Sequence, residues 1–499
     1  MINFPFKNSI LSSLIKVRIN NLEKMIENPI ITQDKIFHKL IQTAKDTKFG
    51  IEHSFDKIKD YNDYKEIVPD RKYEELFPYI NEIRKGKKNI LWPNSIKLFA
   101  KSSGTTNAKS KYIPLSYETL NECHFKGGKD MLAIYLKNNP DSKIFNGKGI
   151  ILGGSKEINT KYIEGDLSAI LLENFPFWVN THRLPDIKTA TMKNWNEKLE
   201  KITNQSINQN ITNLSGVPSW MLILLKNIIK KAGVKKITDI WPNLELYIHG
   251  GVNFSPYKNQ FNSLISSKDM NYLETYNASE GFFALQDRKD TGDMLLLLEY
   301  GIFYEFRNIK ELNEDYISLK DVKTEIDYEI IISTNSGLWR YRIGDIVRFT
   351  STNPYRIIIK GRTKNCINTF GEELMVHNTD QAISIACKKT NCKIVEYTVA
   401  PIFFEETSGA HEWAIEFNKL PEEIDMFNQI LDEELKKINS DYEAKRLGDL
   451  ILRKPKINII KNGIFFYWLK TKNKLGGQNK IVRLSEKRKF IDELKQLNI

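Results

Sequence analysis

Four short segments carry residue types suited to nucleotide chemistry. Ser102-Ser103-Gly104-Thr105-Thr106-Asn107-Ala108-Lys109-Ser110-Lys111 is a hydroxyl-rich loop behind a short apolar run. Its backbone N–H groups and side-chain hydroxyls suit phosphate oxygens, and Lys109 and Lys111 add positive charge. It is not a Walker A loop, because Ala108 rather than glycine precedes Lys109. Glu274-Thr275-Tyr276-Asn277-Ala278-Ser279-Glu280-Gly281 brings together the Tyr276 ring, the Ser279 hydroxyl and the Glu280 carboxylate at a strand end. The ring suits a flat base and the carboxylate a hard divalent cation. Arg340-Tyr341-Arg342-Ile343-Gly344-Asp345 offers Asp345, placed after a strand, to two ribose hydroxyls. Leu475-Gly476-Gly477-Gln478-Asn479-Lys480-Ile481-Val482-Arg483-Leu484 carries Lys480, a point charge for a carboxylate or an α-phosphate as negative charge develops.

Each segment also has a plainer reading. Ser, Gly and Thr favour ordinary surface loops. Glu280 fits a solvated turn, Gly344-Asp345 a hairpin turn flanked by salt bridges, and Lys480 a solvated lysine in a lysine-rich chain. Trp220 and Met221 suit an acyl pocket or equally the packed start of a helix. The seven histidines are scattered, with no HExxH pattern or close pair, which argues against catalytic zinc.

The elements that must position these residues read as a mixed α/β chain. Residues 1 to about 60 read as two helices, the second carrying Ile36, Phe37, Leu40, Ile41 and Ala44 and stopping near Gly50. Ile96–Ala100 reads as a strand and 116–138 as a helix. Gly149–Gly154 is a strand ending in glycines. Trp220–Lys231 is a helix entered through Val217-Pro218-Ser219, with proline near its first turn. Strands follow at Leu244–Ile248, which ends at Gly250-Gly251, and at Tyr272–Tyr276, Met294–Leu298, Tyr328–Ser333 and Arg356–Ile359. Beyond Lys360 the pattern alternates: a helix from Glu372, strands at Ile394–Ala400 and Glu412–Phe417, a helix at Ile424–Ile438, a strand at Ile464–Leu469 and a helix at Ser485–Leu497. That predicts a large domain over 1–360 and a small α/β domain over 361–499, with the boundary at 360–364.

Composition narrows the classes. With 499 residues, 41% hydrophobic and 11% aromatic, the chain has enough apolar surface for a substantial core, so disorder as the main state is excluded. Four cysteines (Cys123, Cys366, Cys387 and Cys392) cannot frame a chain this long, and reduced thiols in the cytoplasm are the reading. No apolar run approaches the ~20 residues of a membrane span. Leu11, Leu14, Ile15, Arg18, Leu22 and Met25 fall at helical spacing and predict a packing helix rather than a leader or an anchor. The net charge of +12 is spread along the chain and mixed with Glu and Asp, without interleaved aromatics, so no nucleic-acid partner is expected.

The order of the segments adds what no single one supplies. A hydroxyl-rich phosphate loop, aromatic-x-x-Ser-Glu, Tyr-Arg-x-Gly-Asp, Gly361-Arg362 and a C-terminal lysine loop follow one another, and the chain thereby resembles the adenylate-forming superfamily. It is more closely similar to the Gretchen Hagen family of acyl-acid amido synthetases. The residues that carry this likeness are Thr47-Lys48-Phe49-Gly50, Phe99 to Thr106, Ser110-Lys111-Tyr112-Ile113-Pro114, Gly216-Val217-Pro218-Ser219-Trp220, Ala278-Ser279-Glu280-Gly281, and the Gly-Gln-x-Lys-x-x-Arg run at 477–483. The resemblance spans nearly the whole chain.

It implies an adenylate-forming α/β fold with a large N-terminal domain of mixed sheets and helices and a smaller C-terminal domain turning about 360–364. By the same resemblance Ser102, Ser103, Gly104, Thr105, Thr106 and Lys109 would hold ATP phosphates. Gly250 and Gly251 would lie against adenine with Tyr276 stacked on it and Ser279 nearby. Glu280 would bind Mg2+ and take part in catalysis, Asp345 would bind ribose, and Arg362 would touch ribose or phosphate at the hinge. Lys480 would be the catalytic lysine, and Val217 and Trp220 would line the acyl site. Asn107-Ala108 stands where such loops often carry glycine, and Lys364 near where such hinges often carry an acid. The implied reaction joins a carboxylic acid, through acyl-AMP, to an amine, most naturally an amino acid. The alternatives are the same first step with coenzyme A as acceptor, or nucleotide binding without catalysis. Intact Glu280 and Asp345 speak against the last.

Overall fold

The computed structural model describes residues 13, 16–102, 111–251, 254–265, 270–289, 291–311, 315–362, 366–367, 369–370, 372, 374–404, 409–446, 449, 452–472, 481–485 and 487–498. They fall into two compact units, one drawn from Met1–Gly251 and Ile265–Ile359, the other from Val252–Leu264 and Lys360–Ile499.

The first unit opens with helices α1 (Ile19–Glu27) and α2 (Pro29–Ala44). Leu22 and Met25 are the buried face of α1, and Arg18 just before it pairs with the buried Asp130. In α2, Ile36, Phe37, Leu40, Ile41 and Ala44 are all buried, the stripe that their spacing predicts. Strands β1 (Leu98–Ser102) and β2 (Lys111–Leu115) pair antiparallel and are joined by short strands at 163–165 and 156–158 into a four-stranded sheet. The segment 116–138 is not one regular helix. Thr119–His124 is a π-helical turn leading into α3 (Phe125–Asn138).

A twelve-stranded sheet forms the body. In chain order its main members are β3 (Lys148–Ile151), β4 (Ile211–Ser215), β5 (Leu246–Gly250), β6 (Asn271–Ala278), β7 (Gly281–Leu285), β8 (Met294–Leu296), β9 (Ile302–Asn308), β10 (Asp327–Thr334), β11 (Tyr341–Thr352) and β12 (Tyr355–Arg362). Across the sheet they run β9-β10-β11-β12-β8-β7-β6-β5-β4-β3, closed by two-residue strands at 317–318 and 183–184. The run β3-β4-β5-β6 is parallel, and β6-β7-β8 is antiparallel. The parallel part needs crossovers, and two of its helices are α4 (Trp195–Ser206) and α5 (Pro218–Ala232). Pro218 is at the start of α5 and Gly233 closes it in the left-handed conformation at φ 71°.

The second unit contributes α6 (Ser255–Leu264), so the chain enters it before the main boundary at Lys360. Gln260 on α6 donates to the Ile394 carbonyl at 2.5 Å, and Arg483 donates to the Tyr257 hydroxyl at 2.8 Å. A three-stranded sheet of β13 (Lys393–Phe403), β14 (Gly409–Lys419) and β15 (Lys456–Ile460) lies between two helical layers. Trp413 and Ile415 pack on one side with α7 (Val376–Lys389) and α8 (Ile424–Ile438). Ala414 and Ile460 pack on the other with α9 (Ile464–Thr471) and α10 (Lys489–Leu497).

Two expectations are corrected here. Ile464–Leu469 is a helix, although its run of Ile, Phe, Phe, Tyr and Trp reads as a strand. Tertiary contacts decide it: Phe465 and Leu469, four apart, share the buried face, and the Glu416 carboxylate accepts from Gly463 N at 2.8 Å and Phe465 N at 3.2 Å, capping the first turn. The helix expected from Glu372 starts at Val376, because Leu374–Met375 pair as a short strand with Cys366–Ile367 and the Asn378 side chain accepts from Met375 N at 2.9 Å at the helix start.

Glu412 on β14 makes the acid stability of this unit testable. It is fully buried and accepts from Arg488 at 2.5 Å, Lys495 at 2.9 Å and Asn458 at 2.9 Å. Burial by itself would raise its carboxyl, but hydrogen bonds from Lys495, Arg488 and Asn458 outweigh it and hold the group at about 2. A carboxyl held low when folded stabilises the protein above its unfolded value of ~4.3 and loses that contribution as pH falls towards the folded value. Glu412→Gln should therefore unfold at lower urea concentration than wild type at pH 6, and the gap should narrow as pH drops below about 4. A gap that stays constant down to pH 3 would contradict this account.

Candidate active site

Of the residues singled out in the sequence, Val217, Gly250, Gly251, Tyr276, Ser279 and Glu280 stand near the carboxyl ends of the parallel strands β4, β5 and β6, where an α/β sheet ordinarily holds ligands. β4 runs into Gly216-Val217, β5 ends at Gly250-Gly251, and β6 ends at Ala278 before the Ser279-Glu280 turn. At Gly250 a Cβ would stand 2.4 Å from the Thr275 carbonyl oxygen, and Gly251 has φ 79°. Both positions therefore need glycine, Gly250 because β6 packs against it and Gly251 because its backbone is left-handed.

Tyr276 on β6 is buried, and its hydroxyl donates to Asp345 Oδ2 at 2.5 Å. Asp345 lies inside β11 and not after a strand as the sequence suggests. Gly344, at φ 82°, breaks the pairing with β10: Glu329 faces Ile346, whereas Ile331 faces Arg342. The irregularity re-aims a single buried carboxylate within a long strand. The strand start is fixed by Arg340, which bonds Glu305 through Nε at 3.0 and 3.1 Å and the Val68 carbonyl through Nη1 at 2.7 Å. Both members of that pair are buried, so removing one would strand the other's charge.

On the far side of β5, Val217 is the N-cap of α5, and the Tyr247 hydroxyl donates to the Gly216 carbonyl at 2.9 Å. Trp220 is buried and stacks on Trp195, ring centres 4.2 Å apart. Ser279 is buried, and Glu280 beside it is half-buried in the turn to β7. The sequence reading missed Lys198. This wholly buried lysine on α4 donates to the carbonyls of Gly153 at 2.6 Å and Gly154 at 3.0 Å, tying off the chain beyond β3; burial lowers it to about 8. A lysine four residues into a helix in a lysine-rich chain gave no signal of that role. Burial also lowers His249 on β5 to about 3, so its imidazole is neutral.

Ser103, Gly104, Thr105, Thr106, Lys109 and Lys480 lie outside the described residues. Ser102 ends β1 and Arg362 ends β12. Among the described residues there is no group of three or more His, Cys, Asp or Glu able to hold a metal ion, and no helix long and apolar enough to cross a membrane. Cys123, Cys387 and Cys392 are free thiols.

The fold is the one that adenylate-forming enzymes share. The structure superposes on an acyl acid amido synthetase, GH3.15, with a TM-score of 0.80 at 16% identity over 96% of each chain. It superposes on 2-hydroxyisobutyryl-CoA ligase in its postadenylation state with a TM-score of 0.55 at 12% identity, covering 99% of this chain and 92% of that one. Within this class the chain belongs to the GH3 family: models of the family's N-terminal, central and C-terminal domains match residues 18–270, 295–362 and 377–489. Among its relatives, indole-3-acetic acid-amido synthetase GH3.4 of Arabidopsis thaliana is 22% identical over 89% of this chain and 87% of its own length.

Proposed function

We propose that the protein is an AMP-forming ligase that activates a carboxylic acid and transfers the acyl group to the amine of an amino acid. Membership of the GH3 family supports the amide product, and the relatives named as indole-3-acetic acid-amido and jasmonoyl-L-amino acid synthetases support an amino acid as acceptor. The observation that carries the nucleotide half is the buried pair of Tyr276, near the end of β6, and Asp345, inside β11, with Gly250-Gly251 at the end of the neighbouring β5.

In the first step a carboxylate oxygen of the acid attacks the α-phosphorus of ATP, a P–O bond forms, the α–β bridge breaks, and pyrophosphate leaves. We assign adenine to the surface of Tyr276 and Gly250-Gly251, ribose to Asp345, and the phosphates to Ser102, Ser103, Gly104, Thr105, Thr106 and Lys109, with Arg362 at ribose or phosphate. We assign Val217 and Trp220 to the acyl site and Lys480 to the charge that builds at the α-phosphate. In the second step the amine attacks the acyl carbon, AMP departs, and the amine loses a proton. Positioning and charge stabilisation are the protein's contribution to both.

A single half-buried carboxylate, Glu280, suits Mg2+, which takes one or two carboxylates and fills its octahedron with water and substrate phosphate oxygens. When bound there the ion would neutralise charge on the phosphates. Free thiols agree with a reducing compartment, and we assign the protein to the cytoplasm.

The test is pyrophosphate release from ATP and Mg2+ over a panel of carboxylic acids, with mixed amino acids or with coenzyme A. Release that depends on amino acids, with an amide in the products, is expected. Release with coenzyme A alone would move the protein to the thioester-forming ligases. Absence of both release and ATP binding would refute the proposal.

A further inference from the structure

Glu274 stands apart from the residues assigned to the nucleotide, the metal and the acyl group. It lies on β6 two residues before Tyr276, so the two side chains project from the same face of the strand, about 7 Å apart along it. Register extends that face onto β5, where His249 pairs with Glu274 and Tyr247 with Tyr272. The Tyr247 ring is 5.4 Å from His249 and 6.4 Å from Tyr272, and its hydroxyl reaches Gly216, next to Val217. An aromatic-walled floor thus runs from the Tyr276–Asp345 pair towards the start of α5, with one carboxyl in its middle.

That carboxyl has no partner among the described residues. The Glu274 backbone is tied to Gln286, whose N donates to its carbonyl at 2.9 Å and whose Oε1 accepts from its N at 3.2 Å, but among the described residues its side chain meets no cation and no donor. Part of the side chain remains accessible, yet burial pushes the group up to about 7. The carboxyl is thus largely enclosed in a residue that keeps some contact with solvent. The neighbouring His249 imidazole is neutral and supplies no counter-charge. A polar group enclosed without a partner is costly, and a bound molecule that brings the missing donor removes the cost.

We propose that Glu274 selects carboxylic acids that carry a hydrogen-bond donor, a hydroxyl, a ring N–H or an ammonium, at the end remote from the reacting carboxylate. This rests on the adenylation reading. With adenine at Tyr276 and phosphate towards Glu280, the acid's carboxylate is at the strand ends and its body lies inward along the face that Glu274 interrupts. A site built to bond a donor discriminates strongly against the analogue without one, because its own polar group is then left unpaired.

The experiment uses matched acids differing by one donor: phenylacetic against 4-hydroxyphenylacetic acid, 1-methylindole-3-acetic against indole-3-acetic acid, and pentanoic against 5-aminopentanoic acid. ATP–pyrophosphate exchange and calorimetric binding are read for wild type, Glu274→Gln and Glu274→Leu. The wild type should favour the donor-bearing member of at least one pair tenfold or more, Glu274→Gln should reduce that ratio, and Glu274→Leu should reverse it. Vigorous exchange indifferent to the donor, or an unchanged ratio in Glu274→Leu, overturns the inference and leaves adenylation standing. Tenfold tighter binding of a donor-bearing acid without exchange upholds the inference while adenylation falls. Equal binding, or none, without exchange overturns both.

Discussion

Asp345→Ala should lower the efficiency of ATP use in pyrophosphate exchange by about a hundredfold, with most of the loss in the KM for ATP. Each hydrogen bond from a ribose hydroxyl to a carboxylate contributes about 1.5–3 kcal/mol, and two are lost. Water entering the gap returns part of that, so the lower end, about 3 kcal/mol or ~10²-fold, is the expected size. The carboxylate is buried and already accepts from the Tyr276 hydroxyl at 2.5 Å. A carboxylate has about four lone-pair sites, so that bond leaves capacity for a ribose. The same bond predicts a graded companion: Tyr276→Phe keeps the ring and removes only the hydroxyl that orients Asp345, and should cost tenfold or less. Titration with ATP and exchange kinetics separate the two. If Asp345→Ala kept the wild-type KM for ATP, the ribose assignment would fail.

That prediction draws on something the sequence spells and something it does not. Asp345 and Tyr276 stand 69 residues apart, and only the order of motifs suggests that they serve one nucleotide. In the strand order β6 and β11 are separated by β12, β8 and β7, so their contact requires the sheet to curl between them. No local pattern encodes that strand order, because hydrophobic periodicity reports which face is buried and not which strand lies alongside. The same limit explains the errors. Asp345 reads as the residue after a strand because Gly344-Asp345 resembles a turn, whereas the glycine makes an irregularity within β11. Ile464–Leu469 reads as a strand because aromatic and β-branched residues favour one, and the helix is imposed by Glu416 from another element. Where a helix is long and has its own stop signals the sequence suffices: Ile424–Ile438 is read to the residue, and Pro218 and Gly233 bracket α5. Glu274 shows the converse case. It is visible in the motif, but that no described residue partners its carboxyl emerges only when β5 and β6 are laid side by side.

The largest effect belongs to Lys480→Ala, which should slow adenylation by 10²–10³-fold while leaving the dissociation constant of ATP within about threefold. The timing of the charge decides the effect. ATP in the ground state is held by the groups assigned to its base, ribose and phosphates. As the acid's oxygen attacks, negative charge grows on the α-phosphate oxygens, and a lysine ammonium placed there interacts more strongly with the transition state than with bound ATP. An interaction made only in the transition state lowers kcat without weakening substrate binding. The second half-reaction develops its charge at the acyl carbon instead, so Lys480→Ala supplied with preformed acyl-AMP should make amide at close to the wild-type rate. Lys480→Arg should recover only part of the loss, since a broad planar guanidinium does not reproduce a compact ammonium. Three rates decide it: pyrophosphate exchange, ATP binding, and amide formation from synthetic acyl-AMP. Equal slowing of exchange and of amide formation from acyl-AMP would mean that Lys480 supports the fold or the acyl site as a whole. Unchanged exchange would mean that the charge at the α-phosphate comes from another residue, with Lys109 of the phosphate loop the first to substitute.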